Sequence, residues 1–357
     1  MRRYARTLVA VALATTIVTG TAGWASGNAQ QALTGPPPGT AAWRSDHVLG
    51  RELPDPARDT PAEVALFFRG LSEGERQSLV ARHPLVVGNL DGVPVELRYR
   101  ANALALKADH DPRYASLAAD PQRLILAFDP RGRGQVAEVF GDLSTADRVS
   151  VVVPGSDIDA GTFDRTNDVY GTPAGMAKSL YAETGPGSAV IAWAGYTTPV
   201  GVGLDAATGS LAEAGADRLA RFTDGLAAAG VPAPAVFCHS YGSVVCGLAA
   251  PRLHATDLVV LGSPGMRADN VRDLRTDARV WAAKDPDDWI DDVPNVEFAG
   301  LGHGADPTSA EFGARRVPAH DAHGHTGYFA PGTESLHAFA AIADGTYGET
   351  AAEGATR

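Results

Sequence analysis

The chain is poor in cysteine, methionine and aromatic residues: 2 Cys, 3 Met and 7% Phe, Trp and Tyr in 357 residues. Two cysteines cannot build a disulfide scaffold and allow at most one bridge. Positive charge is scarce too, with 30 Lys and Arg against 42 Asp and Glu and a formal charge of −12. No Lys/Arg-rich block occurs, which excludes nucleic acid as the expected partner. Beyond the first thirty residues no apolar run is long enough to cross a bilayer. The 40 Gly and 24 Pro follow no fixed period, so nothing collagen-like is present. There is no internal repeat. What remains is ordinary for a folded chain, with 45% hydrophobic and 20% charged residues spread along the length.

The first residues read as an export signal. Arg2, Arg3 and Arg6 precede an apolar run from Leu8 to Val18, and Gly23-Trp24-Ala25 is a small-residue exit. The expectation is a signal peptide over 1–25 and a secreted protein, extracellular or cell-wall associated, with no stable membrane span after signal removal. Pro and Gly in 26–59 predict a linker. Two helix starts follow: Thr60-Pro61-Ala62-Glu63 and Ser72-Glu73-Gly74-Glu75 each offer a cap and a glutamate three residues on. An N-terminal helical segment is expected over 60–110, its apolar faces needing a larger body to cover them. From 120 to 345 short apolar runs alternate with helical patterns. Leu124–Phe128, Gln135–Phe140, Val149–Val153, Ala189–Trp193, Ala235–Phe237, Leu258–Leu261 and Val280–Ala283 read as strands. Such runs, buried on both faces, predict an α/β fold with a mostly parallel central sheet. The last residues, 346–357, read as a flexible tail.

The stretch from Ala235 to Val245 carries the chemistry. An apolar strand ends at Ser240 and a small-residue helix begins at once, which is the strand–turn–helix setting of a nucleophilic serine. Gly242 supplies the small residue two places on. A serine needs a base held by an acid, and in α/β-hydrolases the chain order is Ser, acid, His. The strand at 280–283 runs into Lys284-Asp285-Pro286-Asp287-Asp288. Asp288, two before Ile290, is the preferred acid, and Asp285 is the alternative. His325 is the preferred base; His320, His323 and His303 read as loop or turn residues. His239, by alternation, is expected to point away from the base and to be packed rather than reactive. Two backbone N–H groups should hold an oxyanion, those of Tyr241 and of Ser156 in Val153-Pro154-Gly155-Ser156.

Several motifs together resemble an actinobacterial α/β-hydrolase family long without an assigned function. They are His83–Pro94 with Arg100-Ala101-Asn102, Trp193-Ala194-Gly195-Tyr196, His239-Ser240-Tyr241-Gly242-Ser243, Gly262–Met266 and Gly324–Tyr328. The resemblance spans about 60–345 and implies an α/β-hydrolase fold with a triad of Ser240, Asp288 and His325. It implies no substrate. Cys238 stands where that family usually has Gly. Cys246 shares the helix face of Gly242, which looks back at the strand, so a Cys238–Cys246 bridge is expected; two buried free thiols are the alternative.

These readings predict an exported serine hydrolase, esterase- or lipase-like, acting on a small-molecule or lipid ester and needing no cofactor. An acyltransferase using the same acyl-enzyme is the second enzyme reading. A zinc site around His320, Asp321, His323 and His325 is the different-chemistry alternative, but its spacing matches no strong motif and it would leave the serine turn unexplained. An inactive exported binding protein is the non-enzymatic one. The helices at 60–107 are candidates for a lid, and the loop 197–209 for the mouth of the site. The sequence fixes neither acyl-chain length nor oligomeric state.

Overall fold

A computed structural model describes residues 30–347 of the chain. The expected signal peptide and residues 348–357 of the expected tail lie outside the described residues. Eight strands form one sheet: β1 (Leu124–Asp129), β2 (Gln135–Phe140), β3 (Arg148–Val153), β4 (Ser188–Ala194), β5 (Ala235–His239), β6 (Asp257–Leu261), β7 (Arg279–Ala283) and β10 (Arg315–Val317). Their order is β1-β2-β4-β3-β5-β6-β7-β10. β2 is antiparallel to both its neighbours, β1 and β4, and from β4 to β10 all neighbours are parallel. The short strands β8 (Glu297–Phe298) and β9 (Leu301–Gly302) form a separate hairpin.

The N-terminal helices are α1 (Thr40–Arg44), α2 (Pro61–Arg69), α3 (Glu73–Arg82), α4 (Pro84–Asn89), α5 (Val95–Ala108) and α6 (Ala115–Ala119). Thr60 and Ser72 close full capping boxes with Glu63 and Glu75. These helices bury a core of their own, in which Trp43, Val64, Phe68, Leu79 and Leu97 meet, and they also pack on the larger body through Val95, Ala105, Leu106 and Leu117. Residues 30–59 do not form the free linker expected. Trp43 on α1 is wholly buried and donates Nε1–H to the Pro54 carbonyl at 2.6 Å, so one aromatic residue anchors a proline-rich stretch.

The later helices are α7 (Pro173–Glu183), α8 (Leu204–Ala207), α9 (Ser210–Ala228), α10 (Gly242–Ala249) and α11 (Glu334–Ala343). Side chains alternate across each strand, so β5 sends Val236 and Cys238 to one core and Ala235 and Phe237 to the other. On the first side α9 and α10 pack through Leu219, Phe222, Val244 and Val245; on the second, α7 and α11 pack through Leu180, Phe339 and Ile342. The connection through α7 places β4 on one side of β3, and that through α9 places β5 on the other. This reversal opens a crevice at the carboxyl ends of β3 and β5, where ligands bind in open α/β sheets.

The helical block meets both α9 and the β1 edge. Arg221 on α9 donates to the Asp59 carbonyl at 2.9 Å, Gly225 lies against Asp91, and Asn89 pairs with Phe128 near the carboxyl end of β1. Among the described residues no hydrogen bond joins 60–107 to Ser240, Asp288, His325 or the 197–209 loop.

Candidate active site

Ser240 follows β5 directly and adopts φ +54°. The left-handed region costs a non-glycine residue about 1–2 kcal/mol, and such strain persists where the surroundings enforce it. Here the Ser240 N–H donates to the Leu261 carbonyl at 3.0 Å, and the Ser240 carbonyl accepts from Ser243 N–H at 2.9 Å. The chain must then turn into α10 against the end of β3. A Cβ on Gly242 would stand 2.7 Å from the carbonyl oxygens of Val153 and Pro154, and one on Gly155 would stand 2.5 Å from the Ser240 Cβ. Gly155 therefore lets the β3 loop lie directly against the serine. Cys238 and Cys246 form a disulfide with a Cα–Cα distance of 6.5 Å. It ties strand to helix across the turn and explains how a residue larger than Gly fits at 238: its sulfur is used up in the bridge.

The end of β7 and the loop after β10 meet beside this turn. His325 Nδ1 lies 2.8 and 3.0 Å from the two carboxylate oxygens of Asp288. Asp288 also accepts from Tyr328 Oη–H at 2.6 Å and from Ile290 N–H at 2.9 Å. Burial pushes its carboxyl up, but the His325 contact and the Tyr328 and Ile290 donors together outweigh this and hold it below the ordinary value. Burial, followed by the Asp288 charge, pushes the Tyr328 phenol far up, so it remains a donor. Asp285 takes a different place. It is buried, accepts Gly324 N–H at 2.6 Å and pins the loop that carries His325. Gly262, just past β6, is the floor of the pair: a Cβ there would stand 2.9 Å from Asp288 Oδ2 and 3.1 Å from His325 Nδ1.

His239 corrects the sequence reading. It lies on the same strand face as Phe237, and the 320–329 loop folds back over that face. Its ring centre is 4.7 Å from that of His325, and its Nε2 lies 2.7 Å from the His325 carbonyl oxygen. A carbonyl only accepts, so Nε2 carries the proton. Burial, then the nearby His325, pushes His239 down to about 3, leaving it neutral. It braces the backbone of His325, a role no local pattern could signal. Trp289, also unmarked in the sequence, places its ring 4.5 Å from His325 while staying 45% exposed.

The N–H groups of Tyr241 and Ser156 donate to no protein acceptor among the described residues. The loop bearing Ser156 is held by Tyr196, whose Oη–H donates to Pro154 O at 2.8 Å, and by Asp157 N–H, which donates to Pro199 O at 2.8 Å. The 197–209 loop thus braces the β3 loop, and through Thr208 O it also accepts Tyr241 Oη–H at 2.8 Å. The Ser240 hydroxyl makes no hydrogen bond among the described residues; in unliganded sites such contacts are commonly long and tighten on substrate. His320 and His323 are exposed, and His303 is buried with its Nε2 on the Ala206 carbonyl at 2.7 Å. Among the described residues no group of three or more His, Cys, Asp or Glu converges in a way that could hold a metal ion. A groove of about 700 Å³ lined by Arg221, Arg252 and Asp277 lies near the far end of α9. It touches none of the groups above.

Residues 129–298 match the model of an alpha/beta hydrolase family, Abhydrolase_8, a span that includes Ser240 and Asp288 and ends before His325. The fold is that of an α/β hydrolase. Two uncharacterized proteins of Mycobacterium tuberculosis, from different strains, are 29% identical to this chain over 85% of its length. The chain spans 58% of the length of these relatives. Among solved structures, a CIB-like hydrolase of Thermoplasma acidophilum is 14% identical, with 62% of this chain and 94% of that one covered and a TM-score of 0.35. A lidless a/b serine hydrolase of Xanthomonas campestris is 14% identical, with 61% and 89% covered and a TM-score of 0.34.

Proposed function

We propose that this α/β hydrolase is an exported serine hydrolase that cleaves carboxylic esters. The observation that carries the reading is the convergence at one sheet edge of a strained serine and an imidazole–carboxylate pair. Ser240 sits at φ +54° after β5, its N–H tied to Leu261, while the adjoining Gly262 underlies the His325–Asp288 pair. In this scheme Ser240 Oγ attacks the ester carbonyl carbon and its proton passes to His325 Nε2, as Nδ1 stays on Asp288. The tetrahedral oxyanion takes hydrogen bonds from the N–H groups of Tyr241 and Ser156. Collapse expels the alcohol, which leaves with the His325 proton and an acyl group on Ser240. Water then attacks the acyl-enzyme, giving its proton to His325, and releases the acid and the serine.

Export is supported by the apolar segment after Arg2, Arg3 and Arg6 and by the Cys238–Cys246 bridge, since disulfides persist in oxidising compartments. The catalytic domain in this reading is 120–345, with 60–110 as an N-terminal helical segment. The test is fluorophosphonate labelling of the secreted protein, with the adduct located by mass spectrometry. The expected result is an adduct on Ser240 that is lost in Ser240→Ala and His325→Ala. Folded protein that takes no adduct would end the proposal.

A further inference from the structure

Ten large apolar side chains stand strongly exposed among the described residues, and half of them come from two loops beside the candidate site. Val200 and Val202, 56% and 75% exposed, lie in the 197–209 loop; Trp289, Val296 and Phe298, at 45%, 54% and 82%, lie in the segment after β7. The loops are joined. Leu301 bridges Thr208, and Arg267 Nη2 donates to the Gly300 carbonyl at 2.9 Å. Thr208 in turn receives the Tyr241 hydroxyl, and the Trp289 ring lies tilted against that of His325. The two loops that carry these side chains thus border the site from the imidazole round to the residue after the serine. Phe298 is not on a loose tip. It pairs with Leu301 across a two-residue turn, Ala299 at φ +52° and Gly300 at φ +83°, the geometry that matches strand twist.

The charge around this rim selects the kind of surface it can meet. Residues 284–304 hold six carboxylates and one lysine. That lysine is tied to Asp291 and Asp306, and Arg267 is tied to Glu297. No unpaired Lys or Arg is left in 197–209 or 284–304 to meet an anionic headgroup, and the exposed Asp287, Asp291 and Glu297 would repel one. Contiguous exposed apolar surface with a polar rim marks a docking surface. Resting on the ester-hydrolase reading for its chemistry, we propose that these five side chains seat the enzyme on an uncharged lipid–water interface. The substrate is then a neutral ester with long acyl chains, met in aggregated form.

Docking and turnover can be read separately. Full-length secreted protein carrying Ser240→Ala is mixed with triolein droplets coated with phosphatidylcholine and centrifuged. It should float with them, and adding Val202→Ser with Phe298→Ser should cut the floating fraction at least tenfold. Phosphatidylglycerol in the coat should reduce floating, and added salt should restore it. With Ser240 intact, the double substitution should lower the ratio of trioctanoin-emulsion to p-nitrophenyl acetate hydrolysis at least tenfold. Equal floating by both proteins, no floating by either, or a preference for the anionic coat would overturn the proposal. Floating that depends on Val202 and Phe298 in a protein without fluorophosphonate labelling or esterase activity would uphold docking and defeat the ester-hydrolase reading alone.

Discussion

Two aspartates at the end of β7 have different partners, and that difference can be measured. Asp288 holds His325 Nδ1, whereas Asp285 holds the Gly324 N–H one residue away. Asp288→Asn would present an amide to the imidazole, favour the wrong tautomer and lower kcat by roughly 10³- to 10⁴-fold. Asp285→Asn removes one charged acceptor of a backbone N–H, about 1.5–3 kcal/mol of positioning, and should lower kcat by only about 10- to 100-fold. Steady-state kinetics on a soluble ester decide it; equal losses would mean that the two carboxylates act as one unit. Tyr328→Phe takes the Oη–H from Asp288 Oδ2 and should cost about 1.5–3 kcal/mol of stability at pH 7. Asp288 is held below its ordinary value of 3.8, so its stabilisation is present above pH 3.8 and is lost as pH falls through its folded value. With a donor removed, the folded value rises and less is lost. Urea unfolding should therefore show the gap between the proteins narrowing from pH 7 to pH 3.

At the scale of elements, the bridge between β5 and α10 closes a short loop, Cys238 and Cys246 lying 8 positions apart in the chain. Chain entropy for a loop of this size gives about 2.5 kcal/mol. Replacing both cysteines by Ala should lower the urea midpoint by about that free energy, and reductant should shift the native protein but not the variant. An unchanged midpoint would show that packing alone holds the elbow. The first seven strands in the sheet order were legible because each is a largely apolar, mostly buried run. β10 was not, since Arg315 and Arg316 face solvent at the sheet edge and only Val317 is buried. The β8–β9 hairpin, two residues a side, is too short to show a period. The serine turn could be read locally, because strand, turn and helix are contiguous in the chain. The setting of His239 could not: it depends on a loop some 86 residues on folding back over β5.

For the whole molecule the question is what the N-terminal helices do, given that, among the described residues, none of them hydrogen-bonds to the serine, the imidazole or the carboxylate of the site. Their junction with the sheet is polar and specific. Asn89 donates to the Phe128 carbonyl at 2.7 Å and accepts its N–H at 3.0 Å, completing the β1 edge as a further strand would. Asn102 donates to Ile125 O at 3.0 Å and Gly88 O at 3.1 Å. An uncovered β1 would leave these backbone groups and Ile125 and Phe128 open to pairing with other chains. The block is then an edge cover for β1. Asn89→Ala and Asn102→Ala each strand buried backbone groups, at about 1–3 kcal/mol apiece. Each should lower the urea midpoint while leaving kcat and chain-length preference on soluble esters unchanged. Deleting 43–110 should give insoluble protein. A soluble deletion product with altered chain-length preference would return the helices to the substrate's path and remove the edge-cover account.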